Sequence, residues 1–145
     1  MSENKNCCQA ILVVEDDSDI RNALIDMLES EGYHAESAAN GKEALDLLHT
    51  IQKPCLVLLD MMMPIMNGRE FLDEVMKDSY LAPIPVLVVS AIADRTTTKG
   101  AIGFIKKPVD IDTILKIVNQ YCEGVPSGVQ IPCDDLNKGA QSHHP

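Results

Sequence analysis

The chain has 145 residues, 46% of them apolar and 23% charged, which fits one globular domain with a sizeable core. Aromatic residues are only 3%, so that core must be aliphatic. A formal net charge of -10, from 22 acidic and 12 basic residues, argues against unaided binding to nucleic acid or to an anionic membrane surface.

No apolar stretch approaches the ~20 residues needed to span a bilayer. The polar segment Met1 to Asn6 lacks the apolar centre of a signal peptide, so a cytoplasmic location is expected. Apolar strands and helical periods then alternate. The run Ala10-Ile11-Leu12-Val13-Val14 predicts a strand over about 9–14, buried on both faces and ending in Glu15-Asp16-Asp17. A helix follows over roughly 18–31, with Ile20, Ala23, Leu24, Met27 and Leu28 on its core-facing stripe and Gly32 placed to stop it. A weak strand over 34–38 leads through Asn40-Gly41, a turn or cap, into a helix over about 42–50. Pro54 precedes a second buried strand over 55–59, which ends in Asp60. A third helix is predicted over 68–78, with Phe71, Leu72, Val75 and Met76 inward.

Pro83 and Pro85 introduce a strand over 86–90 that ends in Ser90. Residues 93–100 are rich in threonine, so any helix there is poor. A fifth strand covers 103–106, and a last helix over about 110–123 buries Ile111, Ile114, Leu115, Val118 and Cys122. Residues 125–145 lose periodicity and read as a flexible tail or the start of a linker, leaving a domain over 7–124.

Such alternation with short connections implies a parallel sheet covered by helices on both faces. Its carboxy-terminal edge, where ligand chemistry sits in open α/β sheets, would carry Glu15, Asp16, Asp60, Ser90 and Lys107. Two apolar strands ending in carboxylates suggest a divalent cation, because clustered carboxylates repel unless a cation holds them. Asp17, or Ser18, is read instead as a helix cap. The cysteines (Cys7, Cys8, Cys55, Cys122 and Cys133) are odd in number and lack Cys-x-x-Cys spacing. They are expected to be reduced packing residues, with a metal cluster of Cys133, His143 and His144 as the alternative.

The motifs Ile-Leu-Val-Val-Glu15-Asp16-Asp17, Asp60-x-x-Met63-Pro64-x-Met66-x-Gly68, Ser90-Ala91 and Phe104-x-x-Lys107-Pro108 occur in an order that resembles the receiver domain of two-component response regulators. The resemblance implies a flavodoxin-like, doubly wound, five-stranded parallel sheet of order 2-1-3-4-5. It also implies that Asp60 takes a phosphoryl group from a histidine kinase or a histidine phosphotransfer protein. An ionised carboxylate needs no activating base for this. A magnesium (or manganese) ion would be bound by Asp16 and Asp60, by Glu15 through a water and by the main-chain carbonyl of Met62. Lys107 and the Ser90 hydroxyl would reach the phosphoryl oxygens, and Phe104 would change rotamer with Ser90. Pro108 would follow a cis peptide bond.

The interval from Ser90 to Lys107 is shorter than receivers usually show, by roughly a turn and a half of helix. The fourth helix is therefore expected to be shortened or replaced by a loop of Asp94-Arg95-Thr96-Thr97-Thr98, with a non-standard partner surface. Met62 and Ile92 flank the acceptor with apolar groups, which predicts slow self-dephosphorylation. The chain is read as a stand-alone or excised receiver that docks to an unidentified protein target and is not a turnover enzyme. The alternative is a receiver-fold scaffold that docks partners without being phosphorylated. A hydrolase working through an aspartyl phosphate is disfavoured, since Met62 stands where its general acid would be.

Overall fold

The computed structural model describes residues 10–92 and 98–122. In chain order the elements are β1 (Ala10–Val14), α1 (Ser18–Ser30), β2 (His34–Ala38), α2 (Gly41–Leu48), β3 (Leu56–Leu59), α3 (Gly68–Lys77), β4 (Val86–Ser90), β5 (Gly103–Lys106) and α4 (Ile111–Tyr121). The five strands form one parallel sheet in the order β2-β1-β3-β4-β5. None of the helices among the described residues is long and apolar enough to cross a membrane.

Side chains alternate across a strand, so the continuous aliphatic runs of β1, β3 and β4 feed two cores at once. Leu12, Val14, Val57, Leu59, Val86 and Val88 pack with Ala44 and Leu48 of α2 and with Phe71, Leu72 and Val75 of α3. Ile11, Val13, Leu56, Leu58, Leu87 and Val89 pack on the opposite face with Leu24 and Leu28 of α1 and Ile114 and Val118 of α4. Each buried Val, Leu, Ile or Phe side chain contributes about 1.5–3 kcal/mol by leaving water. Phe71 is fully buried, and its truncation to alanine would cost about 3–5 kcal/mol.

The helix starts follow local capping chemistry. Asp17, rather than Ser18, caps α1 by accepting from the Asp19 and Ile20 amides. Asn40 caps α2 through the Glu43 amide, and Asn67 forms a reciprocal capping box with Glu70 at α3. Gly32, at φ 93°, occupies the left-handed region that ends α1.

Three expectations change. Ala23 is exposed, so the buried stripe of α1 is narrower than its apolar periodicity suggests. Ile111 and Met76 are also substantially exposed, at the ends of α4 and α3. Cys55 and Cys122 are joined in a disulfide and are not reduced packing residues. The fold brings the residue before β3 and the residue after α4 to a Cα–Cα distance of 5.4 Å, within disulfide range. Cys7, Cys8, Cys133, His143 and His144 lie outside the described residues, as does the tail over 125–145. The loop expected over Asp94 to Thr98 lies outside them too, except for Thr98, which opens a turn leading to β5.

Candidate functional site

The site is built by main-chain hydrogen bonds that carry the parallel ladders past the strand ends. Glu15 N donates to Ala38 O at 3.1 Å, Asp60 N to Val14 O at 3.0 Å and Lys107 N to Ser90 O at 3.2 Å. Each functional residue therefore stands just beyond the carboxy end of its strand, against its neighbour. Glu15, Asp16 and Asp60 bring carboxylate oxygens within 4.8 Å of one another. Glu15 and Asp60 are buried, at 3% and 6% exposure, whereas Asp16 is exposed.

Lys107 is the cation that faces them. Its Nζ donates to Glu15 Oε1 at 2.9 Å and stands 3.7 Å from Asp60 Oδ1. Three carboxylates against one ammonium leave the cluster with surplus negative charge. Burial raises the Glu15 carboxyl above its ordinary range, and the charge of Asp60 adds to this. The hydrogen bonds from Lys107 and the Asp17 amide oppose it without cancelling it. Burial pulls Lys107 downward, but the Glu15 hydrogen bond and the charges of Asp60, Glu15 and Asp16 outweigh it and leave Lys107 raised. An all-oxygen, partly buried set with unmet negative charge suits a hard divalent cation.

Ser90 closes β4 at 1% exposure, and its Oγ accepts from the Ile92 amide at 3.5 Å. Phe104 on β5 pairs in register with Val88 on β4 and packs, half-buried, against the core on the α2–α3 side. The Lys107–Pro108 peptide bond is cis. The structure thus gathers Glu15, Asp16, Asp60 and Lys107 into one cluster, with Ser90 on the adjoining strand end. Phe104 sits one turn of the pleat away, among apolar groups. Met62 and Ile92 are 60% and 50% exposed.

Gly68 shapes the loop that follows Asp60. Its amide donates to Met61 O at 3.0 Å. A Cβ there would stand 2.7 Å from Asp60 O and 2.8 Å from Met61 Cα, which are backbone atoms with little room to move. Ile65, at φ 68° and 80% exposure, is a β-branched residue in the left-handed region, a costly place for its backbone.

One positioning residue was missed by the sequence reading. Arg21 Nη1 donates to Glu15 O at 2.8 Å and to Asp16 O at 3.4 Å, so the first turns of α1 hold the acidic loop by its carbonyls. A cation near a helix amino terminus opposes the helix dipole, which was the available signal.

Against this geometry, three comparisons with known proteins agree. The family model described as "Response regulator receiver domain" matches residues 11–119. Protein PilH of Pseudomonas aeruginosa is 35% identical over 120 residues, covering 79% of this chain and 98% of that protein. Sporulation initiation phosphotransferase F of Bacillus subtilis is 37% identical over 120 residues, covering 78% and 93% respectively. The solved structure of chemotaxis protein CheY4 of Vibrio cholerae superposes with a TM-score of 0.72 at 29% identity, covering 79% of this chain and 98% of that one.

Proposed function

The chain belongs to the response regulator receiver domain family of two-component signalling, and from that premise we propose that Asp60 is its phosphoacceptor. The donor is a phosphohistidine on a histidine kinase or a histidine phosphotransfer protein. A carboxylate oxygen of Asp60 attacks phosphorus, the P–N bond breaks, and the imidazole nitrogen keeps the electron pair. Phosphoryl transfer asks mainly for positioning and charge neutralisation, which this edge of the sheet is built to provide. Asp16 and Asp60, with Glu15 through a water and the Met62 carbonyl, would hold a magnesium or manganese ion, which would supply the larger share of that positive charge.

Lys107 supplies the rest. It already stands 3.7 Å from Asp60 Oδ1, so little movement carries it from Glu15 to the incoming phosphoryl oxygens. The Ser90 hydroxyl, at the end of the neighbouring strand, turns to donate to the same group. The switch is a population shift that repacks Ser90 and Phe104 and changes the surface of β4, β5 and α4 that a protein partner reads. The observation that carries this reading is the placing of two buried carboxylates and an exposed one within 4.8 Å, beside one lysine. Exposed Met62 and Ile92 offer no polar group to orient an attacking water, so the aspartyl phosphate is long-lived.

Intact mass after incubation with acetyl phosphate tests the proposal. A single phosphoryl adduct that requires magnesium and is absent in Asp60→Asn is expected. Folded chain that takes no phosphoryl group would instead favour a docking scaffold that works without phosphorylation.

A further inference from the structure

A second chemical site stands at the opposite edge of the sheet. Cys55 immediately precedes β3, and Asp60 immediately follows it, so the two are roughly 16 Å apart along an extended strand. The Cys55–Cys122 disulfide closes a sequence separation of 67 residues and ties the end of α4 to the start of β3. Both cysteines are buried, yet Cys55 also lines a surface cavity of about 280 Å³, with Lys53, Tyr121 and the prolines Pro54, Pro83 and Pro85 in its walls. Proline fixes its own φ, so three of them give that mouth stiff sides. The cavity is just below the size of an ordinary small-molecule pocket and admits the end of a thiol.

From this geometry we propose that Cys55–Cys122 is a reversible redox site, reduced by a dithiol that enters through the cavity. One thiolate of the dithiol attacks Cys55 Sγ, and Cys122 Sγ leaves as a thiolate. The second thiol of the reductant then attacks the mixed disulfide, releasing Cys55 and closing a disulfide within the reductant. Two electrons and two protons end on the protein's sulfurs, and the reverse exchange restores the bond. The Lys53 ammonium, held 4.2 Å above the Tyr80 ring, draws the attacking thiolate towards the wall in which Cys55 stands.

What the bond controls is the last turn of α4. Asp110 makes no side-chain bond to the first amides of this helix, and its last turn holds no basic residue to meet the dipole. Inside the helix, Ile114 and Val118 are buried against the sheet, and Tyr33 hydrogen-bonds Asn119. Beyond Asn119 the disulfide is a covalent tie added to the Cys122 amide's hydrogen bond to Val118 O at 2.7 Å and to the burial of the Cys122 side chain. Reduction therefore loosens residues 120–122, while the sheet stays closed.

The expectation of reversibility rests on the receiver reading, since a kinase partner implies a reducing compartment where disulfides are transient and redox-sensing. The chemistry itself does not. The test uses the full chain and its Asp60→Asn variant, in native buffer, at stepped ratios of reduced to oxidised dithiothreitol. Free thiols are trapped with N-ethylmaleimide and mapped by peptide mass, with amide hydrogen exchange in parallel. Cys55 and Cys122 should become labelled together, identically in both chains, and lose the label when the dithiol is re-oxidised. Exchange over residues 120–122 should rise at least tenfold, with β1 and β3 unchanged. In variants with one of the two cysteines replaced, glutathione disulfide should form its adduct faster at Cys55 in Cys122→Ser than at Cys122 in Cys55→Ser, and Lys53→Gln should slow it. Labelling that appears only in denaturant would make the bond a permanent staple and overturn the proposal. So would labelling confined to Cys7, Cys8 and Cys133, or loss of protection throughout the sheet on reduction.

Discussion

Replacing Asp60 by asparagine should stabilise the chain when divalent cations are absent. The carboxylate oxygens of Asp60 and Glu15 lie within 4.8 Å, and Lys107 Nζ stands 3.7 Å from Asp60. At an effective dielectric of about 20, unit charges at the first distance repel by roughly 3.5 kcal/mol, and at the second attract by roughly 4.5 kcal/mol. Exposed Asp16 adds a further, water-screened repulsion, so the Coulomb terms nearly cancel. What remains is the burial of a carboxylate at 6% exposure, and an amide of the same shape avoids much of that cost. A gain of about 1–2 kcal/mol follows for Asp60→Asn in EDTA, read as a higher urea midpoint at unchanged slope. Magnesium narrows this gain, because an ion at ten times its dissociation constant stabilises the wild type by about 1.4 kcal/mol and the variant by less. A variant less stable than wild type in EDTA would show that the Lys107 contact outweighs burial. An equal response of the two chains to magnesium would remove Asp60 from the cation site.

Three further outcomes follow from the same geometry. Met62→Asn places a polar group two residues after Asp60 and should shorten the lifetime of a phosphoryl group carried there about tenfold, roughly 1.4 kcal/mol of barrier, in a decay assay by intact mass; an unchanged lifetime would rule out control at that position. Gly68→Ala forces a Cβ to within 2.7 Å of Asp60 O and should cost about 1–3 kcal/mol in urea unfolding while slowing phosphorylation. The Glu15 carboxyl is raised above 4.5 in the folded chain, so its ionisation opposes folding, and stability from this group is lost as the pH rises from 4.5 through the raised value. Lys107 is raised above 10.5, so its contribution is full below that pH and is lost as the pH rises through its folded value. In EDTA, Glu15→Gln should gain stability relative to wild type as the pH climbs from 4.5 towards neutrality; a difference that shrinks over that range would contradict the sign.

Most of the sheet was legible because its central strands are buried on both faces. Runs such as Leu56-Val57-Leu58-Leu59 have no polar position to confuse with a helix face, and a carboxylate ending such a run must stand at the edge. The edge strand β2 was fainter, since His34 and Ser37 face solvent and only Ala35 and Ala38 are buried. The acidic cluster and Lys107 were readable for the same reason, as each follows directly on a strand end. The disulfide was not. Cys55 and Cys122 meet only after β4, β5 and α4 have wound back onto β3, a contact across 67 residues that no local spacing encodes. Arg21 escaped notice because its partners are main-chain carbonyls, which leave no trace in side-chain pattern. The exposure of Ala23 reflects the helix packing on one sheet face, which sets stripe width independently of composition.

The central claim is that Asp60 accepts a phosphoryl group from a P–N bond. The direct measurement is incubation with phosphoramidate and magnesium, followed by borohydride reduction and peptide mapping of the trapped residue. Conversion of position 60 alone to homoserine, abolished by EDTA, is the predicted result. Modification at another carboxylate, or none in a chain that remains folded, would contradict it.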